Sequence, residues 1–322
     1  MNPLQLEFSG LELAEPVHFK NLTLFPMLKP KPTFAAPGDL FLDDAMAQGL
    51  ANITELNGGT VPELRFENRA DQPILLLDGE ELIGAKQNRT LNLTILAPAK
   101  QILIIPVSCV EAGRWSMTTP GFKTADHIMY AKARASRASQ VTMSMRATGA
   151  RRSDQGAVWE ELAGKAIRME ASSPTQAMSA VYERHRLSLE EYLRAFRWSE
   201  GQVGMAFSVG GQMSGLDLFD HPASMRHYFP KLLRSYALDA LDSQEATEQP
   251  SQGSLTKMLE SLTAAQSFSQ PSLGLGKDVR LSGPFVSGSA LWAEHYVHIC
   301  GFAANGNGDK ESFRTRISRW WR

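Results

Sequence analysis

The chain has 322 residues, 43% of them hydrophobic and 21% charged, with a formal net charge of −1. This is a globular composition, long enough for two ordinary domains or one large one, and it excludes an overall bias toward nucleic acid or a membrane surface. The two cysteines, Cys109 and Cys300, exclude a disulfide framework and suit a reducing compartment.

The N-terminus, MNPLQLEFSGLEL, has no basic segment leading into an apolar core, so it does not read as a secretory signal. The longest apolar run, ILIIPV, is far short of the roughly 20 residues that span a bilayer. The expectation is a cytoplasmic protein with no membrane partner. Short strands are predicted at LQLEF, PVHFK and LTLFPML, ending at Pro30, Pro32 and Pro37. DDAMAQGL (43–50) predicts a short helix; ITEL and ELRFEN predict strands.

The densest β texture runs from Ile74 to Glu111. Asp78-Gly79, between ILLL and EELIG, is a hairpin signal because both turn positions tolerate φ > 0. Beyond Thr124 the texture changes: AKARASRASQVTMSMR is rich in helix formers and small residues, and VWEELAGKAIRME, PTQAMSAVYERHR and SLEEYLRAFR each show helical spacing, with Ser172 or Ser173 as a cap and Pro174 at the first helical position. A β segment returns over Gln202–Phe219. A helix follows from Pro222 to about Leu241, with Pro230 expected to kink or break it and Asp220 expected to cap it. SQEATEQPSQGS reads as a loop, SLTKMLESLTAAQSF as a helix, and DVRLSG, SALWAEH and HYVHICGF as closing strands.

ILLLDGEELIG and AFSVGGQMSG share the order strand, glycine turn, strand, glycine. This echo reads as two related β-hairpin halves or as the coincidence of two common hairpins; the predicted architecture is α+β, an antiparallel β-sheet core with helices packed on it. One domain is expected over 1–302 (β-rich 1–115, helix-rich 124–200, mixed 202–302), then a flexible basic and aromatic tail, 303–322.

Polar residues inside the β block mark the candidate site. On a regular strand Glu81, Ala85, Gln87 and Arg89 share one face, and Glu80, Lys86 and Asn88 the other. Glu81 and Gln87 would then stand roughly 20 Å apart unless the chain bends, for which Gly84 is the cheapest place. Glu80 and Glu81 read as acid/base carboxylates or as a solvated hairpin tip. Gln87, Asn88 and Arg89 suit hydrogen bonding to a ribose, base edge or phosphate, or a buried network fixing a loop. Glu111 ends an apolar row, where burial would raise its pKa and Arg89 or Arg114 would lower it. It is a candidate general base or one half of a structural Arg–Glu pair.

Cys109 lacks an evident base and reads as a small core hydrophobe. Pro106 implies an edge or a bulge. Trp115 reads as a base-stacking platform or as cover for the sheet end. His295 and His298 face opposite sides of a strand, and no clustered His/Cys spacing suggests zinc, so no metal is expected. The six cations between Lys132 and Arg152, with no acid among them, suit phosphate contacts or a segment balancing acidic neighbours.

GAKQNRTLN followed by IPVSCVEAGRW, with QVGMAFSVGGQMSGLDLFD and KLLRSYALDAL, resembles the ARG and rhodanese-phosphatase-superfamily-associated protein family, where ARG denotes ADP-ribosylglycohydrolase. The resemblance extends from about Pro16 to Phe302. It implies an association with ADP-ribose- and NAD-linked genes, not a particular reaction. Under it, the chain is a candidate enzyme or processing factor acting on an ADP-ribose- or NAD-type nucleotide by glycosidic-bond hydrolysis. Glu81 and Glu111 would be its catalytic carboxylates, and Lys86, Gln87, Asn88, Arg89, Arg114 and Trp115 its ligand-binding set. The alternative is a non-catalytic nucleotide- or partner-binding module using the same cluster. The sequence names no cofactor and no oligomeric state; the expected partner is a small-molecule nucleotide rather than a nucleic acid.

Overall fold

The β texture resolves into three sheets. The computed structural model describes residues 3–29, 40–56, 58–243, 250–294 and 296–304; the tail beyond 304, His295 and the prolines at 30–37 lie outside them. A nine-stranded antiparallel sheet carries Leu22–Leu28, Gln202–Val209, Gln212–Phe219, Tyr296–Ala303, Val286–Trp292, Lys277–Ser282 and Gln266–Pro271 in that spatial order, with Glu12–Leu13 and Val17–Phe19 paired to Leu22–Leu28. A six-stranded antiparallel sheet runs Phe122–Ile128, Glu80–Gly84, Arg89–Leu91, Ile102–Cys109, Glu63–Asn68, Ala51–Glu55. A small third sheet joins Ile95–Ala97, Ile74–Leu76 and Leu40–Phe41, the last pair being parallel. The α+β class with antiparallel sheets is thus as the sequence predicts.

Alternation along Gln212–Phe219 explains the layering. Leu216 and Leu218 face the apolar cluster shared with Leu255, Met258 and Leu262 of helix Gln252–Thr263. Phe219 faces the opposite cluster, with Tyr228, Leu232 and Tyr236 of helix Pro222–Asp242. Asp217 lies on that second face, so it too is driven into the helix layer. A third cluster, with Phe66, Leu82, Leu91 and Val107, fills the six-stranded sheet.

Burying Asp217 needs compensation, and helix Ala131–Thr148 supplies it. Arg134 and Arg137, one turn apart on one face, are wholly buried. Arg134 donates from Nη1 and Nη2 to Asp217 at 3.1 and 2.8 Å, and from Nε to Asp78 at 3.4 Å. Arg137 binds Asp78 and, at 3.0 Å, Thr90. His298 (2.9 Å) and the Tyr236 hydroxyl complete the shell of Asp217. Despite complete burial, Arg134 and His298 hold the Asp217 carboxyl far below the usual range. Two of the six cations in the apparently basic segment are therefore internal counter-charges.

Several local expectations are corrected. Asp78-Gly79 does make a tight turn, with Glu80 N–H donating to Leu77 O at 3.1 Å. Its two arms, however, enter different sheets: Ile74–Leu76 pairs with Ile95–Ala97, and Glu80–Gly84 with Arg89–Leu91. The turn is a corner because Asp78 is taken by the two buried arginines. The second glycine motif is a true hairpin, with positive φ at Gly210 and Gly211. LQLEF is helical (Pro3–Ser9), its Leu4 and Phe8 lying four apart on one buried face. The helix expected at Pro174 begins at Ser179, because the segment before it bridges to Glu111. Helix Pro222–Asp242 runs through Pro230 as one element, and its cap is the His221 side chain, not Asp220. Pro106 stands in no bulge, and its ladder pairing is one-sided, to Glu63 alone. It sits where its strand hands over from Glu63–Asn68 to Arg89–Leu91.

Removing one partner from a buried, hydrogen-bonded ion pair leaves an uncompensated charge, at a cost of about 3–5 kcal/mol. Asp217→Asn is expected to lower the unfolding free energy by about that amount in urea titrations. A loss below about 1 kcal/mol, the range of an exposed pair, would show that this network does not brace the sheet to its helices.

Candidate functional site

The strand carrying Glu81 does not continue through Arg89. It reverses at Gly84 (φ 133°) and Ala85 (φ 44°), and the chain returns antiparallel with Glu81 opposite Thr90 and Leu82 opposite Arg89. A Cβ on Gly84 would stand 2.6 Å from the Gly121 carbonyl oxygen, so the reversal needs glycine there. It brings Asn88 beside Glu81: Asn88 Nδ2 donates to Glu81 Oε1 at 3.3 Å, and Asn88 N–H to Glu111 Oε2 at 3.0 Å.

Arg114 closes this knot. Its Nη2 donates to Glu111 Oε2 at 2.5 Å and to Asn88 Oδ1 at 3.2 Å, and its Nη1 to Ala85 O at 2.7 Å. Gln87 donates to Glu111 O at 3.0 Å and accepts from Arg89 Nη1 and the Cys109 thiol, each at 3.0 Å. Burial acts most strongly on Glu111 and would raise its pKa. The hydrogen bonds from Arg114, Thr175 and Asn88 outweigh it, so the net shift is downward. Burial pushes the Cys109 thiol up, and it remains a protonated core group.

On the opposite flank, strand Phe122–Ile128 pairs Thr124 with Leu82 and Ile128 with Glu80. Three residues, Ala125–His127, therefore oppose one, Glu81. Such a bulge re-aims side chains out of the ladder. His127 Nε2 lies 2.7 Å from Glu81 Oε2, and His127 Nδ1 3.0 Å from Asp126 Oδ1. The ring stacks on Tyr182, centroids 3.8 Å apart, whose hydroxyl donates to Ile128 O at 2.6 Å. Between two carboxylates a charged imidazole donates from both nitrogens. Burial disfavours that charge most, but hydrogen bonds to Asp126 and Glu81 prevail and raise the pKa of His127. His127 in turn draws Asp126 down to about 2.

His127 and Asp126 line a cavity of about 570 Å³ between this strand and the helices Ser179–Arg184, Arg186–Ala195 and Pro222–Asp242. Its charged walls are mixed. Lys123, Arg186 and Arg234 face Asp126, Glu183 and Glu190; Arg234 bonds Glu190 at 3.1 Å and lies 3.6 Å from Asp126. The Asp126 side chain is 74% exposed. Glu81 and Glu111 do not line the cavity. They stand behind it, both buried, linked through Asn88. Glu80 points elsewhere, to Lys231 at 2.9 Å. Lys86 and Trp115 form a separate surface beside Arg89. Among the described residues Asp43, Asp44 and His227 could offer a metal three ligand atoms, but the Lys231 ammonium, 2.8 Å from Asp43, already neutralises that corner.

The family model for the ARG and Rhodanese-Phosphatase-superfamily-associated Protein domain matches residues 10–302. The chain belongs to this family. Its name links it to ADP-ribosylglycohydrolase-associated proteins. No curated protein and no solved structure matches the chain. Sequence reasoning about this family member missed Asp126 and His127. The only available signal was an adjacent acid and histidine in FKTADHI, and the bulge that turns His127 toward Glu81 leaves no mark on the hydrophobic period. No described helix is long and apolar enough to cross a membrane.

A folded-state pKa raised above the ordinary 6.5 means that His127 contributes stability that is full below about pH 6.5 and is lost as pH rises through the folded value. Comparing unfolding free energies of the wild type and His127→Gln from pH 5 to 9 is expected to give a wild-type advantage that shrinks toward alkaline pH. An advantage that grew with pH would mean the ring is neutral between its two carboxylates.

Proposed function

We propose that this protein binds an ADP-ribose- or NAD-type nucleotide in the 570 Å³ cavity and hydrolyses its glycosidic bond there. The observation that carries this reading is the His127 ring at the wall, its Nε2 2.7 Å from the buried Glu81 behind it and its Nδ1 3.0 Å from Asp126 in front. The volume lies within the range of nucleotide-sized pockets. Lys123 and Arg186 would take the phosphates by charge-assisted bonds. The acidic side of the wall suits the positive charge that grows on a ribosyl carbon as its bond breaks.

In this reading the acid/base group is His127 rather than either predicted carboxylate. The leaving group departs with the electron pair of the glycosidic bond and takes the His127 Nδ1 proton. Water adds to the anomeric carbon and returns a proton to Nδ1. Asp126 stabilises the cationic ribosyl group. Glu81 fixes the ring and offsets its charge, while Glu111 and Arg114 hold Asn88, and through it Glu81.

A second reading keeps the nucleotide and drops the chemistry. It is favoured by the fact that Gln87, Asn88, Glu81 and Glu111 are already engaged with one another, as in a structural brace. Incubation with NAD, ADP-ribose and ADP-ribosylated protein separates the two. Hydrolysis supports the enzyme, with His127→Gln slowing it about 10²-fold or more while calorimetric affinity changes little. Saturable binding without product supports the module. Neither binding nor turnover in any of the three would remove both readings.

A further inference from the structure

Arg89 is wholly buried, yet only one of its three nitrogens has a hydrogen-bond partner. Nη1 donates to Gln87 Oε1 at 3.0 Å and more weakly to Asn88 O. Nε and Nη2 have no partner among the described residues. Those two nitrogens form one edge of the guanidinium, the edge that grips a carboxylate or phosphate with two parallel bonds. The nearest carboxylate is Glu55, whose Oε1 stands 3.8 Å from Nη2, too far for a hydrogen bond. Glu55 Oε1 accepts instead from Lys86 N–H at 3.3 Å, and its Oε2 is buried without a partner. A buried guanidinium fork left open costs free energy that folded proteins seldom leave uncompensated.

The surroundings give the open fork a direction. The indole of Trp115 lies over Arg89, 5.6 Å from the guanidinium carbon, and over the Lys86 ammonium at 5.2 Å. Trp115 is 48% exposed, so its ring is the layer between the fork and solvent. Around it stand three cations, Lys86, Arg89 and Arg114, and two carboxylates, Glu55 and Glu111, which leaves an excess of one positive charge. Burial weighs most on Arg89 and lowers its pKa in spite of Glu55.

We propose that the Nε–Nη2 edge of Arg89 is an anion site for the phosphate group of a small phosphoester, roofed by Trp115 and flanked by Lys86. Trp115 swings outward to admit it, the fork takes two phosphate oxygens, and the Lys86 ammonium takes a third. The indole face is then free to lie against whatever the phosphate carries. The site is separate from the cavity of His127 and Asp126: neither Arg89, Lys86 nor Trp115 lines that cavity.

The test uses the full-length protein and inorganic phosphate, with acetate as a carboxylate control. Calorimetry is expected to show saturable phosphate binding. The difference in tryptophan emission between wild type and Trp115→Phe is expected to report it. Arg89→Lys keeps the charge and loses the fork, so affinity is expected to fall about tenfold or more, whereas Lys257→Gln, at an exposed position of helix Gln252–Thr263, leaves it unchanged. Should Arg89→Lys fail to fold, Trp115→Ala decides. Removing the roof at a half-exposed position leaves the fork open, and phosphate binds at least as tightly as in wild type. The proposal is overturned if phosphate does not bind saturably, if Arg89→Lys binds like wild type, if Trp115→Ala abolishes binding, if binding is lost in Lys257→Gln, or if acetate binds and phosphate does not.

Discussion

A 2.7 Å contact between His127 Nε2 and Glu81 Oε2 is the interaction on which this site depends. Glu81 has no exposed surface, and a carboxylate in that position needs a counter-charge and satisfied oxygens to be tolerated. His127 meets one oxygen and Asn88 the other. That requirement fixes two strands at once. It holds the bulge at Ala125–His127 in place, and it holds the reversed loop at Gly84–Asn88, which carries Glu111 and Arg114 along with it. The buried chain from Asp126 to Arg114 is one polar network, of the kind in which each bond depends on its neighbours.

The larger fold solves the same problem elsewhere by the same means. Asp78 and Asp217 lie in the layer between the nine-stranded sheet and its helices, and Arg134 and Arg137 enter to meet them. Lys165, also wholly buried, pairs with Asp239 at 2.6 Å and lies 4.2 Å over the Tyr130 ring. Pairs of this kind add little net stability, since desolvation offsets attraction, but losing one member is costly. They fix register: Asp217 can sit inward only if the Arg134 face of its helix packs there. Among the described residues, Arg89 is a buried cation whose Nε–Nη2 edge has no such match.

Much of the fold was legible from period and propensity. The helices at 155–168 and 222–242, the hairpin at Gly210-Gly211 and the closing strands are marked by local pattern, and the helix at 131–148 by its helix-forming composition, none of which tertiary packing overrode. What sequence could not supply was which strand pairs with which. Asp78-Gly79 has the chemistry of a hairpin turn, and its φ requirement is met, yet the two arms part because long-range ion pairs claim Asp78. The site was half legible. Consecutive amide and guanidinium groups at 87–89 marked the polar network behind the cavity and not its wall, and Gly84 was the residue at which the chain reversed. His127 was invisible because a bulge is a property of two strands, and one strand's sequence shows only its own alternation. Glu81 and Glu111 were found, but their burial behind the cavity was not.

The central claim is that a charged imidazole is held between two carboxylates at the cavity wall. Nitrogen NMR of ¹⁵N-histidine-labelled protein at pH 6.5, the ordinary midpoint for histidine, reads this directly. The account predicts a His127 ring that is predominantly doubly protonated, with both nitrogens carrying hydrogen-bonded protons, and that loses this state when Glu81 is replaced by glutamine. A neutral single tautomer at that pH, indifferent to the Glu81 replacement, would contradict it.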